Sequence, residues 1–182
     1  MGISDTTWIA GLLLVAILVS AIGTLTVLTN PTGLLTTGSG TTNATVAKTV
    51  VLAIPTASIN FGNIAVGTSN ETTTDNPVPF HLRNDGNVNV NITLNSTQLW
   101  TRDAGTSADY KFMCGTEGAI CPEGSITSFT DMPVSAAATL VIANLSSAGG
   151  SDTLEVEIKI TAPLDEPSGT RSATVTFTAS EA

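Results

Sequence analysis

Apolar positions follow two regimes along this chain. From Trp8 to Leu28 they dominate a block of 21 residues without a charge, and from Ala44 onward they alternate with polar ones. The block predicts one helix, which at 1.5 Å per residue would reach about 31 Å, enough to cross a bilayer core. Ser4 or Asp5 can cap its start, Asp5 suits the positive end of the helix dipole, and Pro31 and Gly33 stop it. A helix that is apolar on every face needs burial on every face. Three readings compete. A cleaved secretory signal calls for a basic leader and a shorter core, and no Lys or Arg precedes this one. A membrane anchor fits the length but has no flanking positive charge, because the first lysine is Lys48. A helix that starts in the membrane and ends in the core of a filament is buried in both places. Ala16 and Ser20, four apart, are compatible with close helix approach.

In the second regime the period is two. Val50, Leu52 and Ile54 alternate with Thr49, Val51 and Ala53; Ile59 and Phe61 precede a Gly62-Asn63 turn, with Ile64 and Val66 beyond it. Phe80 and Leu82 oppose His81 and Arg83, and after a turn at Asp85-Gly86 come Val88, Val90, Ile92 and Leu94. Leu154, Val156, Ile158 and Ile160 alternate with Glu155, Glu157, Lys159 and Thr161, and Ala173, Val175 and Phe177 with threonines. Half-apolar strands split by short turns predict an all-β, two-layer antiparallel (Ig-like) sandwich, preceded by the one long hydrophobic N-terminal α-helix. The Cys…Trp…Cys spacing of antibody domains is absent, so "Ig-like" refers to architecture alone. The expected organisation is residues 1–30 as hydrophobic helix, 31–43 as a linker rich in Thr, Gly and Ser, and 44–182 as an extracellular β-sandwich domain. Leu34-Leu35 in the linker suggests that part of it docks on something apolar.

Charge narrows the function. Only 12% of residues are charged and the net charge is −9 with six Lys+Arg, which leaves nothing to neutralise a row of phosphates or to grip anionic lipid. Nucleic acid is therefore not an expected partner. Hydration of so lightly charged a surface would come from hydroxyls, amides or sugars. There are 31 threonines, many at outward strand positions that suit β-branching. Five Asn-x-Ser/Thr sequons occur, at Asn43, Asn70, Asn91, Asn95 and Asn144; Asn91 and Asn95 share the polar parity of one strand, while Asn70 sits in a predicted loop. A polar Asn/Thr face is the competing explanation. Cys114 and Cys121, the two cysteines of the chain, read in an exported protein as one disulfide stapling a short loop; the alternative, a metal site, would normally need more ligands, and the one histidine, His81, is distant in sequence.

No arrangement predicts catalysis, a cofactor or a metal. Asp103, Asp109 and Asp131 surround the cysteine loop and Asp75, Asp85, Asp152 and Asp165 sit in turns, none in a calcium-loop pattern. Glu155 and Glu157, two apart, are expected on an ordinary polar strand surface rather than as a glycosidase pair. His81 is expected exposed beside a hairpin, with no nucleophile elbow around it.

Met1-Gly-Ile-Ser-Asp5-Thr-Thr-Trp8 followed by the apolar block resembles the N-terminus of archaeal type IV pilin-like and archaellin-like subunits, over about the first 30 residues. With Met1 as the mature first residue, the resemblance implies that Asp5 stands where many bacterial pilins carry a glutamate and pairs with a neighbouring subunit's terminal amine. It implies a helical homopolymer held through Trp8, Leu14, Val19 and Leu25, inserted in the cytoplasmic membrane before assembly and extracellular afterwards. Phe80-His-Leu-Arg-Asn-Asp-Gly-Asn-Val-Asn-Val-Asn-Ile-Thr93 and Pro167-Ser-Gly-Thr-Arg-Ser-Ala-Thr-Val-Thr-Phe-Thr178 are similar to stretches of bacterial and archaeal surface β-sandwiches, which implies no catalysis. The expected function is a structural filament subunit. The alternatives are a single-pass anchored surface or adhesion protein that does not polymerise, and a donor-strand polymer using a strand such as Thr45–Ile54, which has no use for the apolar helix.

Overall fold

A computed structural model describes residues 41–103, 105–115 and 120–182. Within them, Val46–Ala182 form one compact unit of nine strands. These are β1 Leu52–Thr56, β2 Ser69–Glu71, β3 Phe80–Asn84, β4 Val90–Ser96, β5 Gly105–Cys114, β6 Thr130–Val134, β7 Thr139–Leu145, β8 Thr153–Thr161 and β9 Val175–Glu181. No helix occurs among the described residues. The expected N-terminal helix, with Asp5, Trp8, Leu14, Val19 and Leu25, lies outside them.

Two long strands organise the sheet. β8 pairs antiparallel with β3 and β2 along one edge and with β5 along the other, opposing Phe80 to Val156, Asn70 to Ile160 and Phe112 to Ile158. β4 carries β7 on one edge and β9 on the other, both antiparallel. β6 joins the halves: it pairs antiparallel with β5, then touches β4 in parallel where Ser96 opposes Val134. At Ser135, whose φ is +53°, the chain turns a corner, its amide donates to the Ser96 carbonyl, and it continues as β7.

The expected two-layer Ig-like sandwich is therefore corrected. All nine strands belong to one hydrogen-bonded sheet, ordered β1-β3-β8-β5-β6-β4-β7 with β2 on β8 and β9 on β4. A second seam closes through Ile126, whose amide donates to Val141 of β7 and whose carbonyl accepts from Cys114 of β5. The sheet thus curls into a barrel that stays open between β1 and β9. A sandwich keeps two separate ladders; here the Ser135 corner and the Ile126 bridge keep the ladder continuous.

The alternation read from the sequence sets the core. Leu82, Ile92, Leu94, Phe112, Met132, Ile142 and Ile158 are fully enclosed, and each such side chain contributes about 1.5–3 kcal/mol relative to exposure. Across the open side the Phe80 and Phe177 rings meet edge to face, centroids 5.4 Å apart. Ile59, Phe61 and Ile64, expected on two strands, lie instead in an irregular segment around Gly62, whose φ is +67° and whose amide is held by the Asn60 side chain.

Candidate functional site

The outward face of β8 is not surface. Glu155 is 8% exposed and Glu157 3%, which corrects the expectation of ordinary exposed carboxylates. Glu155 stands opposite His81 on β3, and the imidazole Nε2 lies 3.1 Å from its Oε1. His81 is half-buried by this contact rather than exposed. Glu157 accepts a hydrogen bond from the Thr72 hydroxyl, which itself accepts from the Ile158 amide at 2.9 Å. Burial pushes the Glu157 carboxyl above the usual range, against the pull of that hydrogen bond, and Asp75 and Glu71 push the same way. Lys159, next on this face, pairs with Glu71 at 2.8 Å and lies 5.4 Å from the Phe129 ring centroid.

What covers the carboxylates comes from remote parts of the chain: the Thr72 segment and the backbone just after Cys114. The Gly115 amide donates to the Glu155 carbonyl at 2.9 Å, and a Cβ on Gly115 would stand 2.6 Å from Glu157 Oε1. A larger residue here would have to displace the Glu157 carboxylate from its place against the chain. Cys114 and Cys121 are joined by a disulfide and both are buried, so this same segment is stapled from beneath. Two enclosed carboxylates stand here beside a half-buried imidazole. Their geometry is that of a polar latch holding the stapled loop on the sheet.

The one large cavity described, about 1170 Å³, lies elsewhere, and Glu155, Glu157 and His81 do not line it. It opens beside the gap between β1 and β9, walled by Ile59, Phe61 and Ile64 on one side, by Ala173 and Val175 on the other, and floored by Trp100 and Tyr110. Tyr110 is 4% exposed, and burial pushes its hydroxyl up to about 12. Toward the other end of β9 the gap is pinched where Lys48 pairs with Glu181. The segment reaching Lys48 is extended and exposed, with Val46 at 80%, and its carbonyls at Ala47, Thr49 and Val51 are held by the Asn84–Asn87 turn. That turn needs Gly86, since any Cβ there would fall 2.3 Å from the Thr49 carbonyl oxygen.

A scan of protein-family models finds no match, and neither does a search of curated proteins.

The sequon asparagines scatter. Asn43 and Asn144 are exposed, while Asn70, Asn91 and Asn95 are half-buried. Asn70 belongs to β2, not to a loop, and its Oδ1 accepts from the Glu71 amide. Asn91 Oδ1 accepts from the Asn144 amide and Asn95 Nδ2 donates to the Ala136 carbonyl, so the face these two share is partly occupied by the neighbouring β7 and the turn before it. The aspartates expected around the cysteine loop, Asp103, Asp109 and Asp131, and Asp165, expected in a turn, serve local structure. Asp103 accepts from the Leu99 and Trp100 amides and from Ser107, Asp109 and Asp165 flank Arg102, and Asp131 pairs with Lys111. Among the described residues no group of three or more His, Cys, Asp or Glu converges as metal ligands. The β8 latch is what sequence reasoning missed, and the alternation along β8 carries no signal of it, because the threonine and the glycine that meet Glu157 lie far away in the chain.

Proposed function

We propose that this chain is a structural subunit of an extracellular pilus-like or archaellum-like filament, polymerising through its N-terminal apolar segment. The observation that carries the reading is the joining of 21 uncharged residues, 8–28, to a compact β unit that begins at Val46 and holds a disulfide. The first part belongs in a lipid or protein interior. The second is built for an oxidising exterior. Before assembly the apolar segment sits in the cytoplasmic membrane; in the filament it exchanges lipid contacts for contacts with copies of itself, and the β units form the wall. Asp5 pairs with a neighbouring terminal amine, and sugars on sequon asparagines hydrate a surface with few charges.

Replacing Leu14 or Val19 with lysine tests this directly. An unpaired ion in a dry filament core costs several kcal/mol (~3–5) even after relaxation, so either variant should lose filaments in electron micrographs of cell-surface material while the β unit stays folded. A single anchored segment can shift and snorkel, and would tolerate the change. Membrane-bound monomers of the unaltered chain, with no filament under any condition, would make it an anchored surface protein instead.

A further inference from the structure

We propose that the free edge of β9 is an interface between copies of this chain, with the two β9 strands antiparallel about a two-fold axis at Thr178. The idea does not rest on the filament reading, since it concerns the β unit alone.

Among the described residues β9 is an edge strand. It pairs with β4 over seven consecutive positions, Val175 to Glu181, without a bulge, while the β1–β3, β4–β7 and β5–β6 ladders all shift register. Its sequence, Val-Thr-Phe-Thr-Ala-Ser-Glu, has no proline and no lysine. Among the described residues no strand occupies its other edge. Such an edge is a template for another strand unless something blocks it; among the described residues the contacts across the gap are the Lys48–Glu181 pair at one end and the edge-to-face Phe80–Phe177 rings on the inner face.

The strand is complementary to itself. Side chains of directly opposed residues point to the same face, so a common apolar face requires odd positions to oppose odd positions. Centring on Thr178 uses all seven residues. It sets Phe177 against the small Ala179 of the second copy, Val175 against Glu181, and the hydroxyls of Thr176 and Ser180 against each other. The two Glu181 carboxylates then lie about 20 Å apart, well beyond the screening length of about 8 Å.

The ends of β9 also fit each other. At the Glu181 end the ion pair with Lys48 holds a run of exposed valines: Val46 is 80% exposed, Val50 41% and Val51 43%. At the Val175 end lies the cavity, whose walls combine Ile59, Phe61, Ile64 and Val175 with the polar side chains of Asn60 and Arg171. The two-fold axis brings the valine end of one copy to the cavity end of the other, twice. At each end of the joint exposed valines of one copy meet the mixed apolar and polar mouth of the other's cavity.

Cysteine scanning of the full-length chain in mild detergent tests the register. In the proposed pairing Thr178 faces its own copy, within the ~4.4–6.8 Å Cα separation that a disulfide needs. Thr176 faces Ser180 of the second copy, and the two Thr176 residues are about 13 Å apart. Under mild oxidation Thr178→Cys should give a covalent dimer, at least about tenfold faster than Thr176→Cys or Ser180→Cys alone. A mixture of those two should give the heterodimer. Thr178 is exposed, so Thr178→Lys should fold normally and sediment without the dimer. Equal crosslinking at all three positions, no crosslinking at Thr178, or a dimer that survives Thr178→Lys would each overturn the proposal. Adding Leu14→Lys separates it from the filament reading. A Thr178→Cys dimer that persists without filaments supports the β9 interface, whereas its loss would place all association in the apolar segment and refute it.

Discussion

The turn Asn84-Asp-Gly-Asn87 holds two asparagines whose side chains both bond to backbone groups and whose exposure is opposite, which makes it a test of how burial sets the worth of a hydrogen bond. Asn84 is 2% exposed. Its Nδ2 donates to the carbonyls of Val88 at 2.9 Å, Ser146 at 3.1 Å and Leu145 at 3.2 Å, and its Oδ1 accepts from the Gly86 amide at 3.0 Å. One side chain thereby ties the β3–β4 turn to the end of β7. Asn87 is exposed; its Nδ2 donates to Ala47 at 2.8 Å and its Oδ1 accepts from Thr49 at 2.7 Å. In Asn84→Ala the Gly86 amide and the carbonyls facing it lose their partner where water has little access, at about 1–3 kcal/mol for each group truly left unsatisfied. The Leu145 carbonyl lies on a paired strand and suffers least, so the total should be about 2–4 kcal/mol. In Asn87→Ala water replaces the lost partner, and the cost should stay within about 0.5 kcal/mol. Urea unfolding followed by tryptophan fluorescence reads the difference. With a slope of ~1.5–2 kcal/mol/M, Asn84→Ala should lower the midpoint by about 1–2 M and Asn87→Ala should barely move it. Equal shifts for the two variants would refute the reasoning, because burial would then have no bearing on the cost of the lost bonds.

Glu157→Gln should stabilise the unit increasingly as pH rises. The folded-state pKa of Glu157 is raised by burial, so its favourable contribution is present at acid pH and lost as pH rises through that value; glutamine can still accept from Thr72 and removes the loss. Urea midpoints for parent and variant should diverge from about pH 4 to about pH 7, and a constant difference across that range would reject the assignment. Glu71 titrates the other way: its hydrogen bond from Lys159 lowers its pKa, so its contribution is lost on acidification. The double variant Cys114→Ala/Cys121→Ala opens a loop of sequence separation 7, which should cost about 2.5 kcal/mol from chain entropy. An unchanged urea midpoint would show that the latch on β8 alone holds the loop.

Some of this architecture was legible residue by residue. Val90, Ile92 and Leu94 on β4, and Leu154, Val156, Ile158 and Ile160 on β8, point inward as strict alternation requires, because a regular strand turns every second side chain to one face. The pairing of Cys114 with Cys121 follows from there being two cysteines close in sequence. Strands β5, β6 and β7 escaped the same reading for local reasons. In β5 a bulge separates Ser107 from Tyr110, Phe112 and Cys114 and breaks the period, β6 contains Pro133, and in β7 Val141 and Ile142 are buried consecutively where its register with β4 shifts. Tertiary structure alone decided the rest. Glu155 and Glu157 carry the sequence signature of a solvated face, and they are buried because Thr72, His81 and Gly115, distant along the chain, close over them. Whether the strands form two layers or one curled sheet depends on a positive φ at Ser135 and on where Ile126 finds its partners. Periodicity reports which way a side chain points; it carries no information about what meets that side chain, and that meeting determines both the latch on β8 and the open edge of β9.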